Sequence, residues 1–346
     1  MRDHKNKGRY NSPKPLFLSP PSSLSDTFMP TKPTQTIVAN LTHLGLLSFS
    51  GEEARDFLHK QLTNDVAKLP DNLARHAAWC TAKGRMLASV VVYPHESDFH
   101  LILSSDLREA TQKRMQMFIL RSKVKAADVS DRFEIIGLAG PGAVAALTKA
   151  GLSAPELTNN ASEAGLSITK SESGISIIRL DTQRFLLVVP VEQSAAVFEG
   201  LETGTETVDA NAWQMSDIEA GLPVITQATR EAFVPQMVDF DTLGGVSFKK
   251  GCYPGQEIVA RTHYLGKVKR HLYRVTSNST LEAGQELASP ATPDQSAGMI
   301  VSAQASNDGQ WIGLASILET AADDIHVGTA DGVLLQAVRV YLPTTP

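Results

Sequence analysis

Cysteine is scarce. Cys80 and Cys252 are the only two in 346 residues. A secreted disulfide framework is therefore excluded, and a reducing cytoplasm is the expected compartment. The C-x-x-C and C-x-x-H spacings of common metal sites are missing, so no stably bound metal is expected. Long apolar runs are missing too. The longest uncharged apolar stretch, residues 135–147, is broken by Gly137, Gly140, Pro141 and Gly142. A membrane span needs roughly 18–20 apolar residues, so no membrane partner is expected. Positive charge is not in excess: 32 Lys and Arg face 37 Asp and Glu, a net charge of −5. That argues against a protein gripping nucleic acid over its whole surface. No internal repeat is found.

What is present is ordinary globular composition, 42% hydrophobic and 20% charged, over a length that suits two domains. Residues 1–33 stand apart. They are rich in Pro and Ser, carry six Lys and Arg against Asp3 and Asp26, and show no apolar period. They read as a disordered tail. No h-region follows the basic start, the prolines oppose an amphipathic presequence, and Met29 is an alternative start.

Periodic signals begin near Ile37. A strand is expected over residues 43–49, then a helix from Gly51 capped by Ser50, with Ala54, Phe57, Leu58 and Leu62 on its apolar face. Residues 77–81 and 85–93 read as a hairpin around Lys83-Gly84. Residues 100–103 form a strand, and Asp106 caps a helix reaching Arg121. A strand over 133–138, a helix over 142–149, a hairpin over 175–189 and a helix over 191–201 follow. A helix over 212–221 ends at Gly221, before Pro223. Residues 233–248 are loop-rich. From residue 267 only short alternating strands recur, at 271–276, 286–287, 298–302, 311–317 and 332–341. That pattern predicts a small all-β barrel or sandwich.

The densest unusual segment is residues 244–257. Tyr253-Pro254-Gly255-Gln256 has Pro at i+1 and Gly at i+2, the type II turn signature. Cys252 thus sits on the shoulder of a tight turn. Gly251 removes a side chain beside it, Lys249 and Lys250 precede it and Arg261 follows. That is a positive setting for a thiol that attacks or ligates. Glu257 could orient a lysine or take a proton. From residue types alone a small buried cysteine is the commoner outcome, and no histidine can be assigned to it; His263 and His271 are near in chain only.

The run K-G-C-Y-P-G-Q-E (Lys250, Gly251, Cys252, Tyr253, Pro254, Gly255, Gln256, Glu257) resembles the signature of the YgfZ family. These are folate-binding proteins linked to iron–sulfur cluster assembly and repair and, through it, to tRNA modification. The flanks F-V-P-Q at 233–236, L-G-G-V-S-F-K at 243–249 and V-A-R at 259–261 fit as well. The family shares its fold with the T-protein of the glycine cleavage system, an aminomethyltransferase. F-L-H-K-Q-L-T-N-D-V at 57–66, A-K-G at 82–84 and I-E-A-G-L-P at 218–223 are similar to that wider superfamily. The resemblance covers residues 37–345.

It implies an α+β, T-protein-like folate-binding region over 34–262, in one or two subdomains, and a C-terminal small β-barrel over 263–346. Cys252 becomes the functional thiol, tetrahydrofolate or another reduced folate the cofactor, and iron–sulfur client enzymes or cluster carriers the partners. Glu219 matches the superfamily's pterin-binding glutamate, and a carboxylate suits the donor pair of a pterin. Arg261 suits a carboxylate clamp, and Trp213, Tyr253 and Tyr264 are candidate stacking faces. Position 217 is Asp where the superfamily usually has a basic residue. The paired Asp of the T-proteins corresponds to Ala88 and Ser89, neither of which serves as a carboxylate acid or base. The expectation is therefore an accessory factor rather than an enzyme. A folate-dependent aminomethyltransferase or demethylase is one alternative. A tRNA-binding module is another, since residues 249–274 hold seven Lys and Arg (Lys249, Lys250, Arg261, Lys267, Lys269, Arg270, Arg274) against Glu257 alone.

Overall fold

The computed structural model describes residues 35–119, 122–158, 165–264, 266, 268–306 and 308–341. The expected tail over 1–33 lies outside the described residues, as does Lys267. Eleven of the described strands make one sheet. They are β1 (Ile37–Asn40), β2 (Leu44–Ser50), β3 (Leu73–Cys80), β4 (Met86–His95), β5 (Asp98–Ser104), β6 (Lys125–Asp128), β7 (Phe133–Ala139), β8 (Leu166–Lys170), β9 (Ser176–Arg179), β10 (Arg184–Pro190) and β11 (Glu206–Thr207). Their order is β11-β1-β7-β10-β9-β8-β3-β4-β5-β2-β6.

β4 shows why this sheet is central. All ten of its residues are buried, as expected for a strand covered on both faces. Its side chains alternate between two cores. Ala88, Val90 and Val92 join a cluster with Trp79, Phe233 and Phe240. Val91 and Tyr93 join the opposite cluster with Ile102, Leu186 and Trp213. The strand period of two thus divides the interior.

Six strands close a barrel: β12 (Arg270–Ser277), β13 (Glu286–Ala288), β14 (Gly298–Ala305), β15 (Trp311–Leu318), β16 (Ile325–Val327) and β17 (Leu334–Arg339), in the order β12-β15-β14-β13-β16-β17. Alternation works here too. Tyr273 and Val275 fill the barrel, while Leu272, Val301 and Leu314 face out and pack on the β4 cluster. The α+β, T-protein-like fold with a C-terminal barrel is the fold observed. β16 was not anticipated, because three residues carry no period.

Six helices complete what matters here: α1 (Ala54–Gln61), α2 (Arg108–Ile119), α3 (Ala143–Lys149), α4 (Val191–Glu202), α5 (Ala210–Glu219) and α6 (Gln256–Tyr264). Two expected caps are corrected. Ser50 ends β2, and α1 starts at Ala54. Glu53 accepts from the Lys123 N–H and Glu52 pairs with the Lys123 ammonium at 2.7 Å, so both acids serve a distant segment. The Asp106 carboxylate accepts from the Ser104 hydroxyl at 2.7 Å and the Gln227 N–H at 2.9 Å, tethering a remote loop instead of capping a helix. No helix among the described residues is long and apolar enough to cross a membrane.

Candidate functional site

The motif turn forms as its residues dictate. Gly255 has φ +81°, and the Gln256 N–H donates to the Tyr253 carbonyl at 3.2 Å, closing a type II turn. A side chain at Gly255 would lie 2.6 Å from Gly84, the glycine of the β3–β4 hairpin. Two glycines therefore let two tight turns touch through bare backbone. α6 begins directly after the turn, at Gln256. Cys252 is a free, exposed thiol on the shoulder of this turn. Cys80, by contrast, is buried in β3, and burial pushes its thiol up to about 12.

Lys250 points inward rather than toward solvent. Its ammonium donates to the His59 and Leu62 carbonyls, the latter at 2.6 Å. These oxygens belong to the C-terminal end of α1, where helix carbonyls lack partners and favour a cation. The ammonium also lies 4.9 Å from the centroid of the Tyr253 ring, a cation–π contact. Burial pulls Lys250 down to about 8, against the pull of Asp65 and Cys252. Neighbouring bonds complete the seam. The Thr63 hydroxyl donates to the Gly245 carbonyl at 2.6 Å, and the Asn64 amide donates to the Gly244 carbonyl at 2.8 Å. Segments 57–66 and 244–257 thus form one structural unit.

His59 is a residue the sequence reading missed. Its Nε2 lies 3.7 Å from where a Cβ on Gly251 would sit, and its Nδ1 lies 3.2 Å from Asp65 Oδ1. Burial, then Lys250, lowers its pKa, while Asp65 opposes both. The histidines nearer in chain are engaged elsewhere. His263 stacks on Phe248 with centroids 3.7 Å apart, and His271 Nδ1 lies 2.8 Å from Asp239 Oδ1.

Beside this seam opens a cleft of about 820 Å³ with mixed polar and apolar walls. Its walls include residues 243–249 except Gly245, so the segment that ends in Cys252 also builds the cleft. Lys68, Arg75, Arg179 and Lys249 supply positive charge, and Asp65 and Asp181 negative. His76 and Leu180 line this cleft and also a second, inner cavity of about 50 Å³. The inner walls are mostly apolar, with Asp217 the one carboxylate among them. Arg184 links one wall residue of each space: its Nε donates to Asp181 Oδ2 at 2.6 Å and its Nη1 to Asp217 Oδ1 at 2.7 Å. Burial raises Asp217 to about 6, partly offset by Arg184. Burial also lowers His76 to about 4, with Arg184 adding to the effect, so its imidazole is neutral.

The expected site residues are dispersed around this arrangement. Tyr264 lines the outer cleft, exposed, edge-on to Phe248. Trp213 is a core side chain packed flat on Gly137, where any Cβ would strike its ring, and it also lines the inner cavity. Glu219 is half-buried and lines neither space; its backbone carbonyl accepts from Arg274 of β12. Arg261 and Glu257 are exposed on α6, Tyr253 is buried, and Pro254 and Gln256 are intermediate. The basic stretch is not one patch. Lys250 is buried, Arg270 donates to Ser296, and Arg274 is turned to Glu219. Ala88 and Ser89 are buried in β4, where the Ser89 hydroxyl accepts from the Ile225 N–H at 2.9 Å. No group of three or more His, Cys, Asp or Glu among the described residues could hold a metal ion.

The GCVT N-terminal domain family matches residues 33–163. A tRNA-modifying protein YgfZ of Klebsiella pneumoniae (strain 342) is 33% identical over 269 residues, 75% of this chain and 80% of the relative. Another, of Pectobacterium carotovorum subsp. carotovorum (strain PC1), is 32% identical over 275 residues, 78% of each chain. Among solved structures, glycine cleavage system aminomethyltransferase T from Bartonella henselae superposes with a TM-score of 0.65 at 16% identity, covering 90% of this chain and 86% of that one. That likeness is one of fold. With this identity spread over about four-fifths of relatives named tRNA-modifying proteins, the chain belongs to the YgfZ family.

Proposed function

We propose that the chain binds a reduced folate in the two neighbouring spaces and uses Cys252 to support assembly or repair of iron–sulfur clusters in tRNA-modifying enzymes. One observation carries this reading: the segment whose residues 246–249 wall the cleft ends three residues later in an exposed thiol. A ligand in the cleft would order the backbone that presents Cys252.

The cleft fits a folate. Its volume of about 820 Å³ lies within the range of small-molecule sites. Lys68 and Arg75 suit the carboxylates of a glutamate tail. The inner cavity, with apolar walls and one carboxylate, suits the edge of a ring. A bound reduced folate would supply a one-carbon carrier. The chain's own residues would orient it and keep water from its inner end. Ser89, with its hydroxyl already engaged, stands where a transferase has a carboxylate, which favours an accessory role over aminomethyl transfer. The role of Cys252 is transient contact with a cluster or its carrier, or thiol chemistry on a client. Weak tRNA contact is a secondary element of the proposal, through the exposed cations Arg261 and Lys269.

Tetrahydrofolate should be titrated into wild type and into Lys68→Glu/Arg75→Gln, followed by calorimetry. Saturable binding, weakened in the variant and more so for polyglutamylated folate, supports the reading. No saturation by wild type at millimolar ligand overturns the folate half.

A further inference from the structure

We propose that Phe248, His263 and Tyr264 form a stacking platform for a base of single-stranded RNA at the outer cleft. This deepens the RNA element of the proposed function and rests on that element, not on the folate half.

One helix and one loop build the platform. α6 ends in His263 and Tyr264, and the loop ahead of the cysteine motif brings Phe248 against them. The His263 and Phe248 rings lie flat on one another, with centroids 3.7 Å apart and planes 15° apart. Tyr264 stands edge-on to both, its centroid 4.8 Å from His263 and 6.1 Å from Phe248. These contacts set the ring directions before a ligand arrives, which lowers the cost of binding one.

All three rings line the cleft, yet the protein does not close over them. Tyr264 is 65% exposed, His263 is exposed and Phe248 is half-buried. Rings grouped in water contribute little to a core, and a partner with a flat apolar face would gain from covering them. Small-molecule sites enclose most of their ligand. A ring as open as Tyr264 suits a strand that crosses the cleft rather than a ligand shut inside it.

The charge around the rings fits a polyanion. The chain as a whole carries −5. The cleft nevertheless holds Lys68, Arg75, Arg179 and Lys249 against Asp65 and Asp181. Asp181 is further offset by Arg184. Asp241 is a third acid on this side, close enough to His263 to feel its charge. Arg261 precedes Tyr264 by three residues on α6, so the two exposed side chains share a helix face. Arg261 also offsets the partial negative charge at the end of α6. Aromatic faces beside cations are the elements of single-strand recognition, in which rings take bases and cations take phosphates. A duplex hides its base faces, so the strand must be unpaired. An acidic peptide would use the cations and leave the rings idle.

The test uses a fluorescein-labelled oligoadenylate of about eight nucleotides and an abasic oligomer of the same length and backbone. Each is titrated by fluorescence anisotropy at low salt into the full chain as wild type, Tyr264→Ala, Tyr264→Phe and Arg261→Gln. Circular dichroism melts check folding, and tetrahydrofolate is titrated into the same proteins by calorimetry. Wild type should prefer the base-bearing oligomer about tenfold, and Tyr264→Ala should lose most of that preference. Tyr264→Phe should bind within about threefold of wild type, and Arg261→Gln should weaken both oligomers alike. Should Tyr264→Ala fail to fold, the wild-type preference and Tyr264→Phe still decide. Equal binding of the two oligomers, or a folded Tyr264→Ala that keeps the preference, overturns the platform and leaves a charge-only RNA contact standing. A wild type that binds neither oligomer overturns the platform and the RNA element together. If Tyr264→Ala then weakens tetrahydrofolate alone, the rings belong to the folate.

Discussion

Lys250 Nζ lies 2.6 Å from the Leu62 carbonyl oxygen. A residue of the cysteine motif is therefore a strut that ties the motif to the end of α1. Replacing it with Met leaves two buried carbonyls without their cation. Lys250→Met should lower unfolding free energy by about 2 kcal/mol, read as an earlier urea midpoint. The pH dependence has a definite sign. Burial pulls the folded-state lysine from 10.5 to about 8. Between those values the unfolded chain holds the proton more tightly, so this group's contribution to stability rises with pH. Wild type should gain on Lys250→Met as pH goes from 8 to 10. A gain in the opposite direction would mean that the folded chain holds the Lys250 proton more tightly than the unfolded one, contradicting the burial effect.

Gly255 and Gly251 flank the same cysteine and should behave differently. Gly255 has φ +81° and meets Gly84 backbone. Gly255→Ala should destabilise by at least about 2 kcal/mol. Gly251 has only His59 Nε2, 3.7 Å away, near its absent side chain. Gly251→Ala should therefore stay within about 0.5 kcal/mol of wild type. Equal denaturation midpoints for the two variants would count against the turn-on-turn contact.

The two thiols should react on separate timescales. Cys252 is exposed, whereas Cys80 is 2% exposed and pushed up to about 12 by burial. A disulfide reagent at pH 8 should titrate one thiol promptly in the folded chain, and the second only with unfolding. Prompt reaction of both, or of neither, contradicts the placement of Cys252.

Arg184 and Asp217 form a buried pair. Arg184→Met leaves the carboxylate uncompensated and should cost about 3–5 kcal/mol. Arg184→Met/Asp217→Leu should recover most of that loss, since well-packed apolar replacements of buried pairs are often neutral. A double variant as unstable as the single one would show that the pair does not act as a unit.

Much of this was legible in the sequence because local pattern decided it. The barrel strands alternate apolar and polar residues, and the Pro-Gly turn announced itself by residue type. α6 was missed because Val259 is its one buried residue, too little to mark a helical face. The caps assigned to Ser50 and Asp106 failed because their neighbourhoods are set by partners far along the chain, as Gln227 shows for Asp106. Asp217 looked like a departure from a basic position. The structure supplies the missing cation from β10, through Arg184, 33 residues earlier. His59 was equally hidden, since its approach to Gly251 depends on α1 docking against a segment about 190 residues away. Trp213, expected as a stacking face, packs on Gly137 and also lines the inner cavity, a double placement that only the fold reveals.

The central claim is that folate recognition and the Cys252 thiol are separable parts of one function. The most direct measurement compares wild type with Cys252→Ser in two readouts: tetrahydrofolate affinity, and restoration of an iron–sulfur tRNA-modifying enzyme in a strain lacking this protein. The expected result is equal folate affinity with restoration by wild type alone. Full restoration by Cys252→Ser would make the thiol dispensable and contradict the account.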